Sequence, residues 1–198
     1  MNALDQTLFS AINAGSPTWG ATAWFAYFAA RYVVLVIPCH LALLWIAGTH
    51  DVRRQALILA IALLLAALAS FAIGMIVPTQ RPFLIPLGNQ LIEHRGSPSF
   101  PSNHGLAMFT YAAVMLALRH WCHALCIGCA GLIVAWSRVY LGIHFPLDMF
   151  GAMVIAAGAA CLAILIDRRL GRHLTSAGER LFEQAVARPA AWMIRGRG

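Results

Sequence analysis

Three polar clusters interrupt a chain that is otherwise mostly apolar. They are Gln80-Arg81-Pro82-Phe83, Pro101-Ser102-Asn103-His104, and the run from Ser137 to His144, which Asp148 follows. Each cluster lies at an end of a predicted membrane span. Because ionisable side chains at membrane depth are energetically costly, their default interpretation is functional. The clusters are therefore the candidates for this protein's chemistry.

Two arginines in these clusters are suited to holding a phosphoryl group. Guanidinium forks match phosphate oxygens, and the dipole at a helix N-terminus favours an anion. Asn103 and His104 lie where the third predicted span begins. We therefore expect their backbone amides to point at the phosphate that Arg81 and Arg138 hold.

Two histidines and one carboxylate complete a nucleophilic mechanism. An imidazole nitrogen can attack phosphorus while a carboxylate on the other nitrogen fixes the tautomer. The spacing puts His144 and Asp148 on neighbouring turns if a helix begins near His144, and Pro146 is acceptable in its first turn. His104 is then expected to protonate the leaving oxygen and later to activate water against a phosphohistidine.

This mechanism needs no metal ion and no other cofactor, because arginines and helix amides can neutralise the phosphate. The sequence therefore predicts activity in the presence of chelators. The five cysteines all fall in apolar runs. Cys122, Cys126 and Cys129 could in principle bind a metal together with His120 and His123, but small cysteines packed in the core are the favoured interpretation.

The composition indicates that these clusters are held in a membrane. Of 198 residues, 61% are hydrophobic and 11% are charged, whereas soluble domains carry about 25% charged residues. No linker interrupts the apolar character, so we expect one domain over residues 1–198, a catalytic region at 79–150 and a basic tail at 167–198. The fold class predicted is an all-α bundle of membrane-spanning helices.

Hydropathy predicts a short interfacial helix that ends near Gly15, followed by about five spans. The third and fourth fall slightly below the usual length of about 20 residues. The polar run at 49–55 is predicted to be a loop. The spans are predicted at residues 31–47, 56–77, 105–118, 121–136 and 146–166.

The basic residues predict the orientation. The net charge of +7 rests on arginine, and half of the arginines follow Asp167. Arg53, Arg54, Arg119 and the basic tail fall on one side when five spans alternate, and the positive-inside bias makes that side cytoplasmic. Anionic membrane lipids, and not nucleic acid, are the expected partners of the tail. The three polar clusters then lie on the outer face.

Together, the three clusters resemble the signature of the type 2 phosphatidic acid phosphatase superfamily, whose helical core is shared with vanadium haloperoxidases. All three motifs match in order and spacing, over roughly residues 81–148. The resemblance implies phosphate binding by Arg81, Ser102, Asn103 and Arg138, acid-base catalysis by His104, nucleophilic attack by His144, and orientation of that histidine by Asp148.

Two positions depart from the family pattern. Gly74 stands where a lysine usually precedes the first arginine by seven residues, and Asn103 replaces a glycine. Both departures, and the N-terminal LFSAINA stretch, resemble the bacitracin-resistance branch. That resemblance implies an undecaprenyl-diphosphate phosphatase of the bacterial inner membrane, which recycles the polyprenyl carrier of cell-wall synthesis.

The sequence leaves the roles of Arg31 and of the residues 93–95 open. Arg31 is a candidate to supply the missing positive charge, since it is predicted at the outer end of the first span, but it could equally be a snorkelling residue. Glu93, His94 and Arg95 could touch the distal phosphate or a lipid headgroup, but a solvated loop is the favoured interpretation. Ser97 and Ser99 are interpreted as turn residues.

Two alternative functions also remain. Another lipid phosphate, such as phosphatidylglycerol phosphate or phosphatidic acid, would present the same terminal group to the same side chains. A non-catalytic membrane protein that binds or transports lipid is the alternative from a different class.

Overall fold

In the computed structural model, residues 3–85 and 87–187 are described, and all regular secondary structure within them is helical. The predicted all-α class is therefore confirmed. The helices are α1 (Ala3–Ile12), α2 (Ala21–Tyr32), α3 (Val36–Ala47), α4 (His50–Ile76), α5 (Asn103–Ala117), α6 (Trp121–Tyr140) and α7 (Pro146–Phe182), with short turns at Val33–Leu35, Pro82–Leu84 and Glu183–Ala187.

The first apolar segment begins earlier than predicted. Helix α2, a single 3₁₀ turn and α3 form one stretch over Ala21–Ala47. Trp24, Phe25 and Phe28 of α2 are exposed, as suits lipid contact, whereas small alanines on its other face are buried. The helical segment therefore extends beyond the predicted start of the span at Arg31. Arg31 is in the last turn of α2, inside the segment.

The predicted loop at 49–55 is instead the start of α4. Thr49 is the N-cap residue of that helix, and Arg53 and Arg54 lie in its first turns. Both arginines form ion pairs with α7. These pairs stabilise the first turns of α4, where the polar residues had suggested a loop. Two nitrogens of Arg54 donate to the two carboxylate oxygens of Asp167 at 2.7 and 2.8 Å, and Arg53 Nη1 donates to Glu179 Oε1 at 3.2 Å.

Four helical segments of the described chain are long and apolar enough to cross a membrane, so this is a membrane protein. The segments are Ala21–Ala47, His50–Ile76, Trp121–Tyr140 and Pro146–Val186. Helix α5, the third of the five predicted spans, has only 15 residues, or about 22 Å at 1.5 Å per residue. It packs against α4, α6 and α7, and several of its side chains are buried, including those of Met108, Tyr111 and Val114. Neighbouring helices therefore cover α5 over much of its surface.

Helix α7 continues well past the predicted end of the last span. It runs to Phe182, and the residues beyond 166 pack against the end of α3 and the start of α4. The Trp45 and Phe182 rings lie 6.3 Å apart, and a Cβ on Gly178 would come within 2.9 Å of Trp45. The last part of the predicted tail, 188–198, lies outside the described residues.

The two connections that carry the polar clusters meet at one end of the bundle. The first joins α4 to α5 over residues 77–102, and the second joins α6 to α7 over residues 141–145. The amide of Leu91 donates to the Leu141 carbonyl at 3.1 Å, and the amide of Ser102 donates to the Asp148 carbonyl at 3.3 Å. These bonds bring the clusters together although the bonded residues are 50 and 46 positions apart in the chain.

Candidate active site

His144 lies two residues before α7, in the short connection from α6. Its Nδ1 is 3.1 Å from Oδ2 of Asp148, which is in the first turn of α7. The Phe145 amide donates to the same oxygen at 2.8 Å. The helix starts at Pro146, the predicted first residue of the last span. A single carboxylate both caps the helix and holds the histidine ring.

The partners of His144 define its tautomer. Its Nε2 is 3.1 Å from Nη1 of Arg81. A guanidinium group can only donate hydrogen bonds, so Nε2 accepts and Nδ1 carries the proton that is donated to Asp148. The lone pair suited to attack an electrophile is consequently on Nε2.

The surroundings of His144 keep its ring neutral. The residue is only 1% exposed. Burial, together with the positive charges of Arg138 and Arg81, lowers the pKa of His144 well below its ordinary value. A neutral imidazole is the form that can act as a nucleophile.

Arg81 is buried among neutral acceptors. Its Nε donates to the Ser97 carbonyl at 2.8 Å, its Nη1 to the Ile143 carbonyl at 2.8 Å, and its Nη2 to the Pro98 carbonyl at 3.1 Å. Its burial lowers the pKa of the guanidinium, and the charge of Asp148 partly opposes that effect. Among the residues described, Arg81 forms no ion pair with a carboxylate.

Arg138 lies near the end of α6 and is 5% exposed. Its Nη2 donates to Nε2 of His94 at 3.1 Å, while Nδ1 of that histidine contacts the Arg95 carbonyl at 3.1 Å. The Nε atom of Arg138 is buried and has no hydrogen-bond partner. A buried charged donor without a partner costs free energy. Because an anionic ligand would accept a hydrogen bond from this atom, the unpaired Nε indicates an anion-binding site.

Next to Arg138 lies a cavity of about 730 Å³ between α2, the loop around His94 and the start of α5. The His144 ring is 6.1 Å from the His94 ring. The cavity therefore brings together three of the predicted site residues, Arg31, His104 and Arg138. Its lining consists of Trp19, Trp24, Tyr27, Ala30, Arg31, Tyr32, Leu35, Ile92, Glu93, His94, His104 and Arg138.

The start of α5 lies as predicted, at Asn103. Ser102 is its N-cap residue and is fully buried, and its Oγ accepts from the Gly105 amide at 3.5 Å. The Asn103 side chain lines a different, mostly apolar cavity of about 450 Å³ between α4 and α5. There its Oδ1 accepts from the Ser70 hydroxyl at 2.8 Å. The structure thus brings the His104 side chain, but not that of Asn103, into the cavity with Arg138.

Ser99 is a site residue that the sequence reasoning missed. It was interpreted as a turn residue, but its side chain is fully buried and its hydroxyl donates to Asp148 Oδ2 at 2.5 Å. The same hydroxyl is 3.4 Å from Nδ1 of His144. A serine near a proline resembles many turn sequences, so only the tertiary contact distinguishes it.

His94 also differs from its favoured interpretation as part of a solvated loop. It lines the cavity and accepts a hydrogen bond from Arg138. Burial lowers the pKa of His94 below its ordinary value, the nearby carbonyl of Arg95 opposes this, and the charges of Arg81 and Arg138 add to the lowering.

Gly142 permits the tight turn that presents His144. Its φ angle is +79°, a left-handed conformation that favours glycine. A Cβ at this position would also clash with the Asn89 carbonyl oxygen. The connection between α6 and α7 can therefore pass close beneath the loop that contains Asn89.

The cysteines are not the packing residues that we expected. All five are exposed on the outside of the bundle, because the helix surfaces that face lipid accept them as small apolar side chains. Within the described residues, no group of three or more histidines, cysteines or acidic residues is arranged to hold a metal ion. Independence from metals stays a prediction.

Comparisons with known proteins agree with this arrangement. The chain is 36% identical over 174 residues to the putative undecaprenyl-diphosphatase YbjG of Escherichia coli, covering 86% of each protein. It is 26% identical over 129 residues to the undecaprenyl-diphosphatase BcrC of Bacillus subtilis, covering 65% of this chain and 66% of that protein.

The fold also matches that of a solved structure. The crystal structure of LpxE from Aquifex aeolicus superposes with a TM-score of 0.65 at 22% identity, over 82% of this chain and 96% of that one. Residues 55–172, which include all three polar clusters, match the PAP2 superfamily. The resemblance inferred from the three clusters is thereby confirmed, and the chain belongs to the PAP2 superfamily.

Proposed function

We propose that this protein hydrolyses undecaprenyl diphosphate to undecaprenyl phosphate and inorganic phosphate. The observation that carries the chemistry is the geometry of His144, which Asp148 orients and whose Nε2 lies 3.1 Å from Arg81, a buried arginine without a carboxylate partner among the described residues. The lipid is proposed from the relatives in Escherichia coli and Bacillus subtilis, whose names specify that substrate.

In the proposed complex, the terminal phosphate lies between Arg81 and Arg138. Nη1 of Arg81 then donates to a phosphate oxygen instead of to His144, which frees the Nε2 lone pair. The unpartnered Nε of Arg138 supports this placement. Ser102 and the first amides of α5, those of Asn103 and His104, complete the anion site at a helix N-terminus.

In the first chemical step, Nε2 of His144 attacks the terminal phosphorus. An N–P bond forms, and the bond from phosphorus to the bridging oxygen breaks. Burial and the charge of Arg138 lower the pKa of His104 to about 4. The negative charge of the bound diphosphate raises that pKa, so His104 takes up a proton and donates it to the bridging oxygen. The lipid therefore leaves as its monophosphate. Asp148 stabilises the positive charge that develops on the His144 ring.

In the second step, water hydrolyses the phosphohistidine. His104, now neutral, takes a proton from the attacking water, and the N–P bond breaks to release inorganic phosphate. His144 returns to its neutral form, and His104 carries the proton needed for the next cycle. The atoms of one water molecule are thus divided between the two products.

Arg31 is proposed to bind the phosphate that stays with the lipid. It lines the same cavity as Arg138 and His104, although it lies inside the α2–α3 segment. The cavity is open to exposed aromatic side chains of α2, including those of Trp24 and Tyr32. This apolar border suits the isoprenoid chain next to the headgroup.

We further infer a single domain with its catalytic region at 79–150, in the inner membrane of a bacterium. We infer that the active site opens on the outer face of the membrane and that the C-terminus lies in the cytoplasm. The basic residues support this orientation, because Arg53 and Arg54 lie together with the basic extension of α7 at the end away from the site.

The proposal is tested by assaying purified protein on undecaprenyl diphosphate, phosphatidylglycerol phosphate and phosphatidic acid, with and without a chelator. We expect the highest kcat/KM for the diphosphate and no effect of chelation. A higher kcat/KM for one of the other two lipids would assign a different substrate to the same chemistry. Absence of phosphate release from all three would favour a non-catalytic role.

A further inference from the structure

Helix α1 lies outside the residues that match the family, 55–172, yet it contacts the segment that holds the proposed nucleophile. Asp5 and Phe9 of α1 and Asn13 just beyond it are spaced four residues apart, so they share one face. Asp5 is 6% exposed and Phe9 is fully buried. This face is directed into the protein, whereas Ser10, about 100° around the helix from Phe9, is exposed.

The first contact joins Asp5 of α1 to Leu147, a residue that follows His144 in the chain. Oδ1 of Asp5 accepts from the Leu147 amide at 3.0 Å. That amide is in the first turn of α7, where backbone donors have no partner within the helix. It adjoins Asp148, the carboxylate that orients the His144 ring. Asp5 therefore holds the backbone next to the catalytic carboxylate.

The second contact is made before His144. Nδ2 of Asn13 donates to the carbonyl of Tyr140, the last residue of α6, at 3.0 Å, and to the Asn89 carbonyl at 2.9 Å. Its Oδ1 accepts from the Asn89 amide at 2.7 Å. Asn13 thus uses both ends of its side-chain amide to tie the end of α6 to the loop from α4.

The third contact lies between the other two. The ring of Phe9 packs 5.3 Å from the ring of Phe145, the residue that follows His144. Along one face of α1, the partners are therefore Leu147, Phe145 and Tyr140. His144 lies inside the segment that these three contacts bracket.

We propose that α1 is a brace for the catalytic segment, in which Asp5 and Asn13 are positioning residues that hold the backbone on both sides of His144. The inference rests on the proposed function. The attacking nitrogen must lie within a fraction of an ångström of its productive position, because misplacement by about 1 Å can cost on the order of 100-fold in rate. Neither Asp5 nor Asn13 lines the cavity, and their side-chain hydrogen bonds go to the backbone of Leu147, Tyr140 and Asn89.

The test compares Asp5→Ala, Asp5→Asn and Asn13→Ala with Ser10→Ala as a matched control on the exposed face. For each purified variant, kcat, KM and the rate of phosphohistidine formation are measured on undecaprenyl diphosphate, and Tm is measured in the same detergent. We expect Asp5→Ala and Asn13→Ala to lower kcat and the phosphorylation rate by about tenfold, with KM within about twofold. Asp5→Asn keeps an acceptor oxygen and should retain most of the activity.

Three results would overturn the brace. The first is an unchanged kcat per folded molecule despite a lower Tm, which would make α1 a stabilising element only. The second is a rise in KM at constant kcat, which would assign α1 to lipid binding. The third is an equal loss in Ser10→Ala. If Asp5→Ala does not fold, Asn13→Ala decides the question. The wild type separates the two proposals. An inactive wild type would contradict the proposed function, whereas an active wild type with equally active Asp5→Ala and Asn13→Ala variants would contradict the brace.

Discussion

The two ends of the helical bundle differ in whether their arginines form ion pairs. At one end, Arg54 and Asp167 form a two-point ion pair at 2.7 and 2.8 Å, and Arg53 pairs with Glu179 at 3.2 Å. At the other end, Arg81 and Arg138 form no ion pair with a carboxylate in the part of the chain that is described.

The unpaired arginines are also the more deeply buried ones. Arg81 and Arg138 are 3% and 5% exposed, whereas the Arg54 side chain is 30% exposed. Burying a charge without a counter-charge costs several kcal/mol. A fold that keeps two such groups side by side is therefore prepared for an anion from outside, while the paired end holds α4 and α7 together.

The largest expected effect comes from removing the nucleophile at the unpaired end. His144→Ala should lower phosphate release by about 10⁴-fold or more, because the covalent step has no substitute. Acid-free quenching should trap labelled phosphohistidine in the wild type and not in the variant. Residual activity above a few per cent, in a variant that keeps the wild-type Tm, would contradict the assignment.

Arg138→Gln removes an unpaired charge and should lower kcat/KM by about 100-fold to 1,000-fold, as loss of a donor to the transition state does. The pH profile gives a second readout. Burial is the main cause of the lowered pKa of His144, and the charge of Arg138 is the next. Removing that charge therefore raises the pKa of His144. The acid limb of the residual activity should then move to higher pH. An unmoved limb would argue that His144 is not the group that titrates.

Ser99→Ala tests the contact that the sequence did not indicate. It removes the hydroxyl that donates to Asp148 at 2.5 Å and should lower kcat by about tenfold while KM changes little, since Asp148 keeps its bonds to His144 and the Phe145 amide. Steady-state kinetics measure this. A wild-type kcat would return Ser99 to the role of a turn residue.

Arg31→Ala tests whether a third arginine belongs to the unpaired end. If it binds the second phosphate, KM for the diphosphate should rise about fivefold to tenfold with kcat nearly unchanged. Arg31→Lys should recover part of the loss, because it restores the charge. Unchanged kinetics in Arg31→Ala would leave Arg31 as a snorkelling residue.

The smallest effect on activity is expected at the paired end. Arg54→Gln should keep kcat/KM within about twofold, and it should lower stability by about 1 kcal/mol, because the ion pair with Asp167 is partly exposed. Thermal unfolding in detergent measures the loss, and a double-mutant cycle with Asp167→Asn isolates the pair. A large loss of activity in Arg54→Gln would contradict the inference that this end of the bundle has a structural role only.

Helix boundaries were harder to predict than helix existence. A helix in lipid is apolar on both its packed and its exposed face, so periodicity does not mark where it starts. The predicted first span therefore missed the start at Ala21, and polar residues suggested a loop where α4 begins. The ion pairs that keep Arg53 and Arg54 helical involve α7, more than 110 residues away.

By itself, the sequence determined the residue types of the site, the start of α5 at Asn103 and the helical, membrane-embedded class. These features depend on local chemistry, since only a few residue types can hold a phosphate and attack it. The tertiary structure alone decided that Ser99 reaches Asp148, that Arg31 lines the cavity and that α1 packs beneath the nucleophile. The Ser99–Asp148 contact joins residues 49 positions apart and the Asp5–Leu147 contact joins residues 142 positions apart, so no local sequence pattern indicates them.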